Sequence, residues 1–341
     1  MTIRIRIASA VAAVALAVTA VAGVPAQAQD RSYLLATAGT GGTYYPVGGA
    51  IATLVKIKLE PRQKIAMSAI PSAGSGENVK LLREGQVQFA ILQGLFGAYA
   101  ASGDGPLAAD GPQENLRSVS MLWQNVEHFA VRDEFVSTGT IDDLIAMRGK
   151  TFAIGARNSG TEGSNRQLLA GLGVTDPDSH FDVAFVGYSP SGDGFRNGNI
   201  DAINPAAGVP VGAMTQLAAA VGDEIRLLNF TDEQIRRANG PYELWTAYTI
   251  PAGTYPGQAE DVRTIAQPNI LAVDAGVDED AVYQITKTIY ENLSFLNNIH
   301  PATKVMALES ALAGLPLPLH PGALRYYEEA GLTVPARLRA N

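Results

Sequence analysis

The chain contains no cysteine. That excludes disulfides, thiolate catalysis, cysteine-ligated zinc and an anchor built on a lipidated cysteine. Histidine is nearly as scarce: His128, His180, His300 and His320 are scattered over 341 residues. None has a second histidine at metal-ligand helical spacing, so each reads as a packed or surface residue, with His128, on the strand expected at the lobe crossing, the exception to watch, and neither a metal nor a cofactor is expected. Positive charge is also short, with 25 basic against 33 acidic side chains and a net charge of −8. Such a balance disfavours nucleic acid and anionic lipid as partners. It does not disfavour a small anion, because a local site can oppose the global charge. Only one long hydrophobic run exists, and it lies at the N-terminus. Fixed-period repeats and low-complexity segments are absent.

That run, Ile7 to Val24, follows Arg4 and Arg6 and is broken by Pro25. Ala26-Gln27-Ala28 comes next, with small residues at both ends of the triplet. The pattern predicts a secretory leader over 1–28, cleaved after Ala28. A retained transmembrane anchor is the alternative, but the stretch is near the lower length limit for a span. No twin-arginine pair is present, so the general secretory route is expected. Cleavage would remove two of the 25 basic residues and leave a charge of about −10. The expected product is periplasmic, without stable membrane insertion, and long enough for two lobes with real cores.

Along the chain, Tyr33–Ala38 reads as a buried strand, followed by the turn Gly39-Thr40-Gly41-Gly42 and a helix with Val47, Ile51, Leu54 and Val55 on one face. Ile65–Ile70 is a second strand. Pro71–Gly76 is a turn, Glu77–Arg83 a helix and Val87–Leu92 a third strand. The pattern then restarts. Val126–Arg132 reads as a strand. Thr140 is expected to cap a helix, with Asp143 completing a capping box. Thr151–Gly155 is a strand, Arg157–Thr161 a turn and Glu162–Leu172 a helix, with short strands at Val183–Val186 and Ile200–Ile203. Beyond the Gly/Pro/Tyr stretch Pro251–Gly257, Ile270–Val273 reads as a strand. Asp278 opens a helix whose face runs through Val282, Ile285, Ile289, Leu293 and Leu296. The tail is helical and broken at Pro316, Pro318 and Pro321. Alternating strand, turn and helix predicts parallel α/β sheets. Two such units imply two lobes, 29–125 with 247–341 and 126–246, and a ligand cleft between them.

Three turns share one construction: Gly39–Thr43, Ser72–Gly76 and Asn158–Thr161. Each follows a strand, is rich in Gly, Ser or Thr, and opens a helix. A helix start carries unpaired N–H groups and partial positive charge, so three converging starts would hold a carboxylate without a buried cation. The alternative is that the hydroxyls only cap their own helices. Gly42, Thr43, Ser75, Gln93, Asn158, Ser159 and Thr161 are therefore candidate ligand residues. Tyr44 or Tyr45 is expected against the ligand's carbon skeleton, Trp123 and Tyr248 are further aromatic candidates, and Arg157 is a candidate carboxylate clamp. Catalytic motifs fail. Tyr44 stands where a dinucleotide fingerprint needs its third glycine, and Leu144 where a P-loop needs its first. No G-x-S-x-G elbow exists. An exported α/β hydrolase or transferase would need a nucleophile and base within reach, and the scattered histidines argue against it. Asp142-Asp143 and Glu328-Glu329 read as solvated pairs.

Several of these segments resemble one family, the TAXI solute receptors of TRAP transporters. Gly39–Pro46 with Gly48-Gly49-Ala50 is similar to that family's opening, and so is Gly74–Asn78 followed by Leu81–Gly85. Gly160-Thr161-Glu162 after Ile154-Gly155 is similar to its second-lobe turn, while Pro251–Tyr255 and Leu317–Ala323 resemble its C-terminal motifs. The resemblance implies a type II periplasmic-binding-protein fold closing on its ligand, and a carboxylate ligand such as glutamate, glutamine or 2-oxoglutarate. It also implies a TRAP membrane permease as partner and no reaction catalysed by this subunit. An ABC permease or a sensor kinase is the alternative partner. Gly94-Leu95 and Arg157-Asn158 depart from the family's Ser-Asp and Pro-Gly. A lost acid and a gained Arg157 are expected to favour a more anionic ligand, such as a dicarboxylate.

Overall fold

The computed structural model describes residues 30–339. The expected leader, 1–28, lies outside them. The first lobe opens with three strand–helix units: β1 (Arg31–Ala36) and α1 (Tyr44–Gln63), β2 (Ile65–Ile70) and α2 (Ser75–Arg83), β3 (Phe89–Gln93) and α3 (Gly94–Ser102). β4 (Leu116–Val126) then leads out of this lobe and β5 (Ala130–Arg132) into the second. There follow α4 (Ile141–Ala146), β6 (Thr151–Ala153), α5 (Gly160–Leu172), α6 (Pro177–His180), β7 (Asp182–Ala184), α7 (Tyr188–Arg196), β8 (Ala202–Ile203), α8 (Gly212–Val221), β9 (Ile225–Leu227) and α9 (Asp232–Asn239). The chain returns through β10 (Thr246–Ile250) and β11 (Val262–Asp274). It ends in α10 (Glu279–Glu291), α11 (Leu293–Ile299) and α12 (Pro321–Glu329).

Both sheets have one topology. In the first, β2, β1 and β3 are parallel neighbours and β11 joins β3 antiparallel, with β4 and β10 beyond it. In the second, β7, β6 and β8 are parallel neighbours and β5 joins β8 antiparallel, followed by β9. Order 2-1-3 with an antiparallel strand from a crossing segment, late in the chain for the first sheet (β11) and early for the second (β5), is the type II periplasmic-binding-protein fold. The reason is visible in β3: all five residues, Phe89 to Gln93, are buried, as a strand covered on both faces requires. α10 presents Val282, Ile285 and Ile289 to this lobe and packs against α12.

Four expectations need correction. Val126–Arg132 is not one strand: Glu127–Phe129 break the ladder, because the chain changes sheets there. The helix read from Asp278 to Leu296 is two helices, since Asn292 turns the chain and its amide donates to the Thr288 carbonyl. Thr140 caps α4, but no capping box closes. Asp143 instead accepts from the N–H groups of Thr138 and Gly139 and from the Thr138 hydroxyl. Asp143 is also no solvated carboxylate, being 3% exposed. Burial alone would raise its pKa, but those donors hold it below the usual range.

Candidate functional site

Five helices start at one cavity of about 240 Å³ between the lobes. From the first lobe come the start of α1 at Tyr44, the start of α2 at Ser75, and Gln93, the cap of α3. From the second come Ser159, the cap of α5, and Gly187, the cap of α7. All five residues line the cavity, and among the described residues no Asp, Glu, Lys, Arg or His does. The first-turn N–H groups of a helix lack intrahelical acceptors, and aligned peptide dipoles place about half a positive charge there. Burial raises the Tyr44 and Tyr188 phenols above their ordinary pKa, so the cavity contains no negative side chain.

Most polar side chains here already have internal partners. The Thr43 hydroxyl donates to the Gly208 carbonyl at 3.1 Å. Ser75 Oγ accepts the Gln93 N–H at 3.0 Å, and Ser159 Oγ accepts the Glu162 N–H at 3.0 Å, the ordinary work of a cap. The Tyr188 hydroxyl donates to the Ala206 carbonyl and lies 2.6 Å from Thr161 Oγ1. Gln93 Oε1 accepts from Ser164 at 2.8 Å. Asn125, on β4, differs. It lines the cavity and is 1% exposed, yet neither its Nδ2 nor its Oδ1 has a partner. A buried amide left unsatisfied costs about 1–3 kcal/mol per group, so this wall calls for a polar occupant.

The lobes touch across the cleft. The Glu77 N–H donates to the Asn158 carbonyl at 3.0 Å, and the Ala213 N–H to the Gly41 carbonyl at 3.2 Å. Glycine permits this approach. A Cβ on Gly76 would lie 2.5 Å from the Asn158 oxygen, and one on Gly160 would lie 2.7 Å from Ser75 Oγ.

Of the residues singled out in the sequence, Gly42, Thr43, Tyr44, Ser75, Gln93, Ser159 and Thr161 line the cavity together. Tyr45, Arg157 and Asn158 do not. Tyr45 is 38% exposed because one residue along a helix is a 100° rotation, and Tyr44 holds the inward position. The Arg157 guanidinium stacks 3.6 Å from the Phe185 ring centre, out of the cleft. Asn158, at φ +61°, spends its carbonyl on Glu77 and its N–H on the Glu162 carboxylate. Trp123 is buried edge-on beneath Tyr44, and Tyr248 lies outside the cavity. Gly94 and Leu95 back onto β11 instead of the cleft: a Cβ at Gly94 would lie 3.0 Å from Pro268, and the Leu95 N–H donates to Gln267. Sequence reasoning missed Asn125, Gly187, Tyr188 and Ser189. The turn Gly187-Tyr188-Ser189 carries the same signal as the other three, a strand followed by small residues and a helix.

Each histidine has a structural role. His128 Nδ1 donates to the Val126 carbonyl, and its Nε2 accepts from the Tyr255 hydroxyl at 2.8 Å. Burial lowers its pKa to about 4. His300 and His320 cap following helical turns, and His180 bonds the Ile145 carbonyl. Beside His128, burial raises Glu127 to about 7, opposed by hydrogen bonds from Asn204, Trp245 and Gln267.

Among solved structures, the chain is similar to the alkanesulfonate-binding protein SsuA of Xanthomonas axonopodis pv. citri. There the identity is 14%, over 89% of this chain and 92% of that one, with a TM-score of 0.46. It is also similar to a binding protein component of an ABC phosphonate transporter from Pseudomonas aeruginosa, at 10% identity, 85% and 80% coverage and a TM-score of 0.48. A ligand-binding component of an ABC-type import system from Staphylococcus aureus gives 10% identity, 90% and 94% coverage and a TM-score of 0.48. The sequence itself matches a family model over residues 35–331, and on that match the chain belongs to the NMT1-like family.

Proposed function

We propose that this chain is an extracytoplasmic solute receptor that captures a small carboxylate and hands it to a TRAP-type secondary transporter. The observation that carries this reading is the convergence of five helix starts on one small cavity that no charged side chain lines among the described residues. Such a cavity stabilises an anion through oriented N–H groups. The chain's four histidines are all engaged in structural hydrogen bonds, so among the described residues no histidine is poised as a base beside a cavity serine. In this reading 29–125 with 247–341 form one lobe, 126–246 form the other, and the two close on the ligand. The TRAP partnership rests on the motif resemblance at Gly39–Pro46, Gly74–Asn78 and Leu317–Ala323. Periplasmic residence rests on the N-terminal pattern, and no helix among the described residues is long and apolar enough to cross a membrane. Preference for an anion no longer leans on Arg157, which faces Phe185.

Native mass spectrometry of gently purified protein, followed by calorimetric titration of glutamate, glutamine and 2-oxoglutarate, tests the ligand class. A co-purified carboxylate is expected, and turnover of the ligand would overturn the receptor reading. Uptake in vesicles carrying a TRAP permease, but not an ABC permease, is the expected outcome for the partner.

A further inference from the structure

Resting on that capture reading, we infer that Asn125 decides which carboxylates are taken: the site accepts those bearing a neutral hydroxyl or keto oxygen and rejects those bearing an ammonium. Asn125 is the buried cavity residue whose amide is open at both ends, with Nδ2 and Oδ1 unpartnered at 1% exposure. A hydroxyl satisfies both ends, since it accepts from Nδ2 and donates to Oδ1. A keto oxygen takes the Nδ2 donor. An ammonium uses only Oδ1 and sets its charge against the Nδ2 donor and five helix starts.

Nothing in the cavity wall repays that charge. No carboxylate lines it among the described residues. Glu162, next to the lining residue Thr161, is occupied by the Asn158 N–H and Arg166, and Glu127, two residues from Asn125, by Asn204 Nδ2 at 2.7 Å and Trp245 Nε1 at 3.0 Å. Two aromatic rings, Tyr44 and Tyr188, border the cavity, but both phenols are committed, to Asn269 and to the Ala206 carbonyl. A desolvated ammonium without a counter-charge is strongly disfavoured. The carboxylate that both compound types share is served by the helix starts, so discrimination falls to the group beside it.

Calorimetric titration of the whole protein with two matched series tests this. One series is pyruvate, lactate and alanine; the other is 2-oxoglutarate, 2-hydroxyglutarate and glutamate. In the series that binds, the oxo or hydroxy acid is expected to bind about tenfold tighter than the amino acid, or more. Asn125→Asp supplies the missing counter-charge and is expected to invert the order. Asn125→Leu, of similar shape, removes the amide contacts but leaves the cavity without a counter-charge, so it should weaken the oxo or hydroxy acid and narrow the preference without inverting it, and circular dichroism reports folding of both. An amino acid that binds wild type as tightly as its oxo counterpart overturns the inference while leaving carboxylate capture standing. Failure of every compound to bind overturns the capture reading itself, and the inference with it.

Discussion

The backbone N–H of Glu77, in the first turn of α2, donates across the cleft to the carbonyl of Asn158 at 3.0 Å. A donor at a helix start in one lobe is thus consumed by the lip of the other. Asn158 therefore acts at the seam between the lobes instead of at the cavity, and the glycine beside its partner, Gly76, sets how tightly that seam shuts.

Gly76→Ala separates closure from folding. The new Cβ would lie 2.5 Å from the Asn158 oxygen. Gly76 is helical, and alanine there gains up to about 1 kcal/mol over glycine in helix propensity. The unliganded protein should melt at or slightly above the wild-type temperature, while affinity falls by about tenfold or more. Calorimetry of melting and of binding checks both halves, and an unchanged affinity would remove the seam from ligand capture.

Arg157 and Ser159 are expected to diverge although two residues apart. Arg157→Ala removes a guanidinium stacked on Phe185, so affinity should change less than about twofold. Ser159→Leu puts bulk at the cap of α5 inside the cavity and should abolish binding, with the fold retained. Equal losses in the two variants would return Arg157 to the site.

Glu127 and His128 predict opposite pH slopes. Glu127 is raised to about 7, so its contribution to stability is fully present below about 4.5 and is lost as pH rises toward 7. His128 is lowered to about 4, so its contribution is present above about 6.5 and is lost as pH falls toward 4. Each shift corresponds to roughly 3 kcal/mol, and between pH 4.5 and 6.5 the two slopes nearly cancel. His128→Gln should therefore expose a fall in stability as pH rises through this window. Urea denaturation at several pH values measures it; a variant whose stability rises with pH would contradict the assignment.

Asp143→Ala should cost about 1 kcal/mol, because the N–H groups of Thr138 and Gly139, in a partly exposed turn, lose their carboxylate acceptor. Ligand affinity should not move, since this turn lies outside the cavity. A melting temperature equal to wild type would show that water replaces the carboxylate.

What the sequence determined by itself is what chain neighbours decide. Strand, small-residue turn and helix follow one another within a few residues, so the α/β class and seven of the cavity residues, among them Ser75 and Thr161, were legible without coordinates. Absences were equally informative, since a chain without cysteine and with four scattered histidines offers little for thiolate or metal chemistry. Tertiary structure alone decided direction and meeting. Tyr44 and Tyr45 have the same composition and context, and only helix phase chose Tyr44. Arg157 sits beside the right helix start, but packing sent it to Phe185. β4 interleaves serine, glutamine and asparagine with apolar residues, so Asn125 carried no local signal. It became a cavity residue only because β4 and β11 pair and bring the long crossing strand beneath five helix starts. Local patterns fix which backbone groups are offered, whereas long-range pairing fixes which of them face the same few ångströms of space.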